Sequence, residues 1–421
     1  MTAAMEPTAD VEPYAIDPSG PDIHGEAERL RARGPIARVV LPGGVQAWWV
    51  TGYELTRQLL TDPRVSRDTY RHWPAWENGE GELARTWPLA MWVSDRNMIT
   101  AYGPEHTRLR RLVARAFTAR RTLALRPRIE SVVADLLDQI DAGPHDEPVD
   151  LRSQFAHPLP VRVISDLLGM PDHLRDRLLV AVSGMLNTAA TAEEAKSYEH
   201  AMYAALDELV EHRRTSPADD LTTALISVHD DDGGPGLSHR ELVDTILLMF
   251  TAGHETTVNL LDHAIFILLT RPDQLALVRG GSATWADVIE ETLRLEAPFA
   301  NLPMRYAVED IALPTVTIRR GEPIVVSFGA AGRDPEVHGP DADAFDATRD
   351  TRRDHVAFGH GVHHCLGAPL ARLEASIALP ALFDRFPDLT LAKPAAHVLP
   401  LESFISNGHR ELPVLLREGA A

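Results

Sequence analysis

From Leu242 to Thr270 the chain reads L-V-D-T-I-L-L-M-F-T-A-G-H-E-T-T-V-N-L-L-D-H-A-I-F-I-L-L-T, apolar almost all the way round a helix. A surface helix shows a polar face, so this one is expected to be buried. Ser238 and Glu241 form an S-x-x-E capping box at its start, and Pro272 stops it. About 33 residues at about 1.5 Å each give roughly 50 Å, the width of a whole domain. Inside this apolar run stand Gly253, Glu255, Thr256 and Thr257. A mid-helix glycine costs about 1 kcal/mol against alanine, and an unpaired buried carboxylate costs more. Such breaches of local rules concentrate at functional sites.

The same spacing predicts helices at His106–Ala119, Ile129–Ile140, Val161–Leu168, Leu178–Leu186, Ala192–Arg214, Leu221–Ile226 and Trp285–Glu296. Ile36–Leu41 and Val45–Thr51, joined by Pro42-Gly43-Gly44, predict a β-hairpin. Shorter strand signals lie at Val316–Arg319, Ile324–Phe328, Leu389–Leu391 and Val414–Leu416, and Asp230–Gly236 is a loop. The expected class is mainly α with small β-sheets. No repeat or linker divides the chain, so one domain over residues 1–421 is expected, with 1–20 flexible.

Composition is that of an ordinary globular protein, but the formal charge of −20 argues against nucleic acid or an anionic membrane as partner. The acidic start M-T-A-A-M-E-P-T-A-D reads as neither signal peptide nor anchor, so a cytoplasmic location is expected.

The chain has one cysteine, Cys365, within F-G-H-G-V-H-H-C-L-G-A-P-L-A-R-L-E (358–374). A single cysteine forms neither an internal disulfide nor a four-thiolate cage, but can act alone on a metal. Gly359 and Gly361 permit positive φ and close approach to a flat ligand. Leu366, Leu370, Leu373 and Ile377, with Pro369 in the first turn, predict a helix directly after Cys365. Unpaired N–H groups and the helix dipole there favour thiolate over thiol. Zinc bound by His360, His363, His364 and Cys365 is an alternative, although ligands so close in sequence crowd one side of a tetrahedral ion.

This run resembles the heme-binding loop of the cytochrome P-450 family, F-x-x-G-x-x-x-C-x-G, with Phe358, Gly361, Cys365 and Gly367 at the pattern positions. The resemblance extends from about residue 36 to the C-terminus. It implies the family fold, with the long helix over a heme b and Cys365 as the iron ligand. A-G-H-E-T matches the family's A-G-x-E/D-T motif. That implies Gly253 leaving room for dioxygen, Thr256 bonding the bound oxygen or a water, and Glu255 relaying protons; His254 and Thr257 support them. His106 and Arg110 match H-x-x-x-R, and with Arg305 and His363 are the implied partners of the heme propionates. Glu291 and Arg294 match E-x-x-R, implying a buried structural pair. Two positions depart from the pattern. His364 stands where an aromatic or non-ionisable residue is usual, and Gly332 replaces a common asparagine at an expected cost in local stability.

Neither an iron–sulfur cysteine set nor a G-x-G-x-x-G motif is present. Electrons from NAD(P)H are therefore expected from separate proteins, which the resemblance implies are a ferredoxin and its reductase. Arginines 108, 111, 115, 349, 352, 353 and 372 are a candidate docking patch. Trp73, Trp76, Trp87 and Trp92 fall where the family has a mobile lid. Met91 and Trp92 from that stretch, Leu248 and Ala252 from the long helix, Phe299 and Leu302, and Phe404 and Ile405 are the candidate pocket. A bulky apolar metabolite is expected, and the resemblance to bacterial members that tailor such compounds implies a macrolide, another polyketide or a terpenoid, oxidised by a monomeric enzyme. A heme protein that carries or senses a gas, and a helical binding protein with structural zinc, are the alternatives from other classes.

Overall fold

The computed structural model describes residues 12–87, 89–144, 147–186, 192–229 and 235–417. Six helices frame the site: α1 (Pro104–Ala116), α2 (Arg126–Asp141), α3 (Pro158–Leu168), α4 (His239–Thr270), α5 (Trp285–Leu295) and α6 (Ala368–Arg385). The capping box closes from both sides at the start of α4: Ser238 Oγ accepts from the Glu241 N–H at 3.3 Å, and Glu241 Oε2 accepts from the Ser238 N–H at 2.7 Å. The helix then runs unbroken to Thr270, packed against α3, α5 and α6. Its apolar circumference is buried as the pattern demands, and its two interior aspartates are paired. Asp244 accepts from Tyr203 Oη at 3.0 Å and Arg240 Nε at 2.9 Å; Asp262 meets the backbone N–H and ring Nδ1 of His409.

Among the described residues eleven strands complete the fold: β1 (Tyr14–Ala15), β2 (Ile36–Leu41), β3 (Val45–Val50), β4 (Val65–Ser66), β5 (Val149–Asp150), β6 (Asn301–Ala307), β7 (Ile311–Ala312), β8 (Thr317–Ile318), β9 (Pro323–Ser327), β10 (Thr390–Leu391) and β11 (Pro413–Leu415). The main sheet has the order β1-β2-β3-β9-β6-β4. The β2–β3 hairpin pairs Ile36 with Val50 through Leu41 with Val45, and Gly43 and Gly44 take the positive φ its turn requires (80° and 77°). Strand β6, inside the sheet, carries no sequence signal because Pro303 and Arg305 break its alternation. The register shifts there between Leu302 and Arg305, as a proline inside a sheet requires.

The N-terminal expectation is corrected in part. Tyr14 and Ala15 pair in parallel with Val39 and Val40, so order begins before position 20, while residues 1–11 lie outside the described ones. Most of the expected 230–236 loop, 230–234, also lies outside them. Helices Ile23–Arg31, Tyr53–Thr61 and Pro272–Arg279 were not expected. Among the described residues no helix is long and apolar enough to cross a membrane.

Candidate active site

The loop before α6 folds as its glycines dictate. Gly359 and Gly361 have φ of 72° and 71°, and a Cβ on Gly361 would meet the Leu60 carbonyl oxygen at 2.7 Å. Phe358 O accepts from the Cys365 N–H at 2.7 Å, fixing the turn that presents the thiol. The helix begins at Ala368 rather than directly after Cys365, with Gly367 as its cap. The thiol receives the N–H groups of Gly367 and Ala368, as the helix-start argument requires, yet its pKa is raised. Burial is the largest influence and outweighs those donors and the charges of Arg110 and Arg372. The N–H groups at the helix start thus favour the thiolate as expected, while burial favours the thiol. The residue as a whole is nevertheless exposed to solvent.

Beside Cys365 the chain gathers basic groups from four separate segments. His106 and Arg110 lie on α1, Arg305 on β6, His363 in the cysteine loop, and Arg67 just past β4. The His106 and His363 rings stand 4.3 Å apart. His106 Nε2, His363 Nδ1 and Arg305 Nη1 are buried without a hydrogen-bond partner. Burial, with Arg67, His106, Arg305 and Arg110 around it, pushes His363 down to about 2. Burial and the neighbouring Arg67 hold Arg305 well below its ordinary value, and burial brings Arg67 to about 10. Buried donors without a partner, set among like charges, are costly unless an anion meets them. The two carboxylates of a heme fit this cradle. Arg110 also donates from Nη2 to the His364 carbonyl at 2.6 Å, tying α1 to the cysteine loop. Arg67, in R-V-S-R-D, carried no signal in the sequence.

On α4, six residues between Leu242 and Ile265 keep some exposure: Leu248, Thr251, Ala252, Gly253, Glu255 and Thr256. The buried helix therefore opens over the stretch that holds the glycine, the acid and the threonine. Thr256 Oγ1 donates to the Ala252 carbonyl at 2.8 Å. Glu255 Oε1 lies 3.4 Å from Arg152 Nη2 and 3.5 Å from Ser406 Oγ. Burial raises its pKa, and Arg152, His157, Asn259 and Ser406 oppose that rise. His254 turns inward, its Nδ1 2.7 Å from the Phe250 carbonyl, and Thr257 is buried. A Cβ on Gly253 would meet Ile164 Cδ1 of α3 at 3.1 Å. The missing side chain thus lets two helices approach, a reason for this glycine that the sequence did not offer.

Behind the loop, Glu291 and Arg294 form a fully buried two-point pair, Nε–Oε2 and Nη2–Oε1 both at 2.7 Å. Arg294 Nη1 also donates to the carbonyls of Gly332 and Ala342, at 2.6 and 2.7 Å. A Cβ at position 332 would lie 1.9 Å from the Arg294 carbonyl oxygen. Gly332 is therefore required by the brace, correcting the expectation that it only weakens the turn.

A family model described as cytochrome P-450 matches residues 185–280 and 285–394. The chain is 44% identical over 409 residues to 2-hydroxy-5-methyl-1-naphthoate 7-hydroxylase of Streptomyces carzinostaticus, covering 97% of this chain and 98% of that one. The chain belongs to the cytochrome P-450 family. It is likewise 41% identical over 395 residues to 6-deoxyerythronolide B hydroxylase of Saccharopolyspora erythraea, covering 92% and 94% of the two chains. The solved structure of CYP154A1 from Streptomyces coelicolor A3(2) superposes with a TM-score of 0.88 at 53% identity, covering 96% of this chain and all of that one. The protein is accordingly a bacterial-type cytochrome P-450 monooxygenase that uses heme and O2.

In this cytochrome P-450 the expected pocket residues divide. Leu248 and Ala252 face the α4 opening, and half-buried Trp92 stands edge-on to Phe299 at 5.8 Å, with Leu302 also half-buried. Phe404 and Ile405 are instead buried in the core, Phe404 6.2 Å from Trp49, because their segment pairs back onto Phe299 and Ala300. The Met91 side chain lies outside the described ones. Trp73 stacks on Trp76 at 5.7 Å and on Tyr306 at 5.4 Å, with Trp87 edge-on at 5.2 Å, so these three tryptophans are packing. The arginine patch also shrinks. Arg349 is buried against Glu291, Arg352 pairs with Asp287, Arg372 with Glu290 and Arg108 with Glu241. Arg111, Arg115 and Arg353 remain exposed. The zinc alternative is set aside, since among the described residues no three His, Cys, Asp or Glu side chains group as metal ligands.

Proposed function

We propose that this enzyme inserts one oxygen atom from O2 into a bulky apolar small molecule, by hydroxylation or epoxidation. Its electrons come from NAD(P)H through a ferredoxin and its reductase. The observation that carries the reading is the buried basic cradle of His106, Arg305 and His363, with unpartnered donors, beside the single cysteine. When bound, the heme supplies thiolate-ligated iron that activates dioxygen. The protein's own groups then have distinct tasks. Cys365 holds the iron in the turn built by Phe358 and capped by Gly367. Arg67, His106, Arg110, Arg305 and His363 orient the propionates. Glu255 and Thr256, at the opening of α4, hold and pass protons while the surrounding apolar helix excludes bulk water.

The named relatives act on a naphthoate and on 6-deoxyerythronolide B. They support a polyketide, macrolide or terpenoid substrate, seated against Leu248, Ala252, Trp92, Phe299 and Leu302. The protein acts as a monomer in the cytoplasm. The test is the absorption spectrum of the reduced, carbon monoxide-treated protein. Wild type should show the strongly red-shifted band of thiolate ligation, and Cys365→Ser should lose both band and turnover. A Cys365→Ser protein that keeps them would overturn the reading.

A further inference from the structure

Between the end of α4 and the C-terminal segment lies a cavity of about 330 Å³, lined among others by His24, His263, Glu296, Arg333, Ser406 and His409. It is polar. Glu296 meets His24 Nε2 at 2.7 Å, Arg333 Nη2 at 2.5 Å and Asn407 Nδ2 at 2.9 Å. His263 is buried and leaves its Nε2 without a partner. A space of this size with several polar groups on its wall suits water, which occupies about 30 Å³ per molecule in the liquid. The His24 side chain is 30% exposed, so the wall reaches bulk solvent.

Glu255 is not part of this wall, but Ser406 is. Ser406 Oγ accepts from Asn259 Nδ2 at 3.0 Å and donates toward Glu255 Oε1 at 3.5 Å. Arg152 holds the same arrangement from the other side. Its Nη1 donates to Asn259 Oδ1 at 3.0 Å, and its Nη2 lies 3.4 Å from Glu255 Oε1. The Ser406 backbone N–H is anchored on Ser403 Oγ at 3.0 Å. Ser406 thus both lines the cavity and reaches the carboxylate.

We propose that this cavity is the proton intake of the active site, and that Ser406 is the positioning residue that relays protons from it to Glu255. The proposal rests on Glu255 handling protons for the reaction, as proposed above. In each hop the Ser406 O–H bond breaks as its proton goes to Glu255 Oε1. The bond is remade with a proton from cavity water, and that water takes a proton in turn from solvent hydronium past His24, so no hydroxide is left behind. One proton moves inward per hop, and Ser406 ends neutral. The intake lies apart from the α4 opening, so a bulky apolar molecule seated there need not block it.

The test compares Ser406→Ala, Ser406→Thr, Glu255→Gln and the Ser406→Ala/Glu255→Gln double variant of the heme-loaded enzyme. Ser406→Ala should lower kcat about tenfold with little change in KM and alter the solvent isotope effect. Ser406→Thr should restore most of both, and the double variant should be no slower than Glu255→Gln. The infrared carboxyl band that Glu255→Gln removes should shift in Ser406→Ala. Slow Glu255→Gln beside a Ser406→Ala protein with wild-type rate and isotope effect would overturn the relay and leave the role of Glu255 standing. Wild-type behaviour of both would overturn that role and the relay with it. A Ser406→Ala loss that comes with a vanished red-shifted carbonyl band, and that threonine does not restore, would make Ser406 a structural residue and end the proposal.

Discussion

His106 on α1 and His363 in the cysteine loop face each other at 4.3 Å between ring centroids, and each keeps a buried ring nitrogen without a partner. Arg305 adds a buried guanidinium whose Nη1 is likewise unsatisfied. Charge-assisted hydrogen bonds are each worth about 1.5–3 kcal/mol. Arg305→Leu should therefore weaken heme retention about ten- to a hundredfold, measured by heme transfer to a stronger acceptor. The heme-free protein should respond in the opposite sense. Losing a buried, unneutralised charge should raise its melting temperature.

Glu290 on α5 holds Arg372 at 2.6 Å and His355 at 3.1 Å, tying the brace helix to both flanks of the cysteine loop. Burial alone would raise its pKa, but the hydrogen bonds and charges of Arg372 and His355 win and bring it from 4.5 to about 2. A carboxylate lowered in the folded state stabilises fully above its unfolded pKa, and that contribution is lost as pH falls. The window here runs from 4.5 down to about 2. Glu290→Gln should lose about 1–2 kcal/mol at neutral pH, allowing for screening of the half-exposed Arg372. Its denaturation curves should also change less with pH inside that window.

Thr256 Oγ1 already has a backbone acceptor, the Ala252 carbonyl at 2.8 Å, and such i−4 bonds add little to helix stability. Thr256→Ala should therefore fold, bind heme and consume NAD(P)H much as wild type. Much of the reduced oxygen should leave as hydrogen peroxide. The ratio of product to NAD(P)H oxidised, read with the peroxide yield, decides it. Coupling equal to wild type would remove Thr256 from proton delivery.

The Arg294 carbonyl would lie 1.9 Å from a Cβ at position 332. Gly332→Asn, which restores the family's common residue, should displace the turn and cost about 1–3 kcal/mol, measured by chemical denaturation. An unchanged midpoint would mean that the turn yields easily.

The cysteine loop and α4 were legible because their signals are local: glycines at a tight turn, a capping box, a period of about 3.6 residues. Strand β6 was not, because Pro303 and Arg305 hide a strand held by its neighbours β9 and β4. Arg67 was missed for a related reason. A lone arginine acquires meaning only when the fold sets it beside Arg305 and His363. Arg152 and Ser406 likewise reach Glu255 only through tertiary structure. Phe404 and Ile405, expected in the pocket, are buried, and apolarity alone does not distinguish a residue facing a ligand from one facing the core.

An arginine committed to a buried carboxylate cannot also greet another protein. Arg349 and Arg372 are so committed, to Glu291 and Glu290, while Arg108 and Arg352 pair with half-buried Glu241 and Asp287 and Arg111, Arg115 and Arg353 are exposed. Fold maintenance thus rests first on these buried pairs. Surface charge at the exposed positions can drift, or be rewritten by an engineer, while those pairs stay fixed.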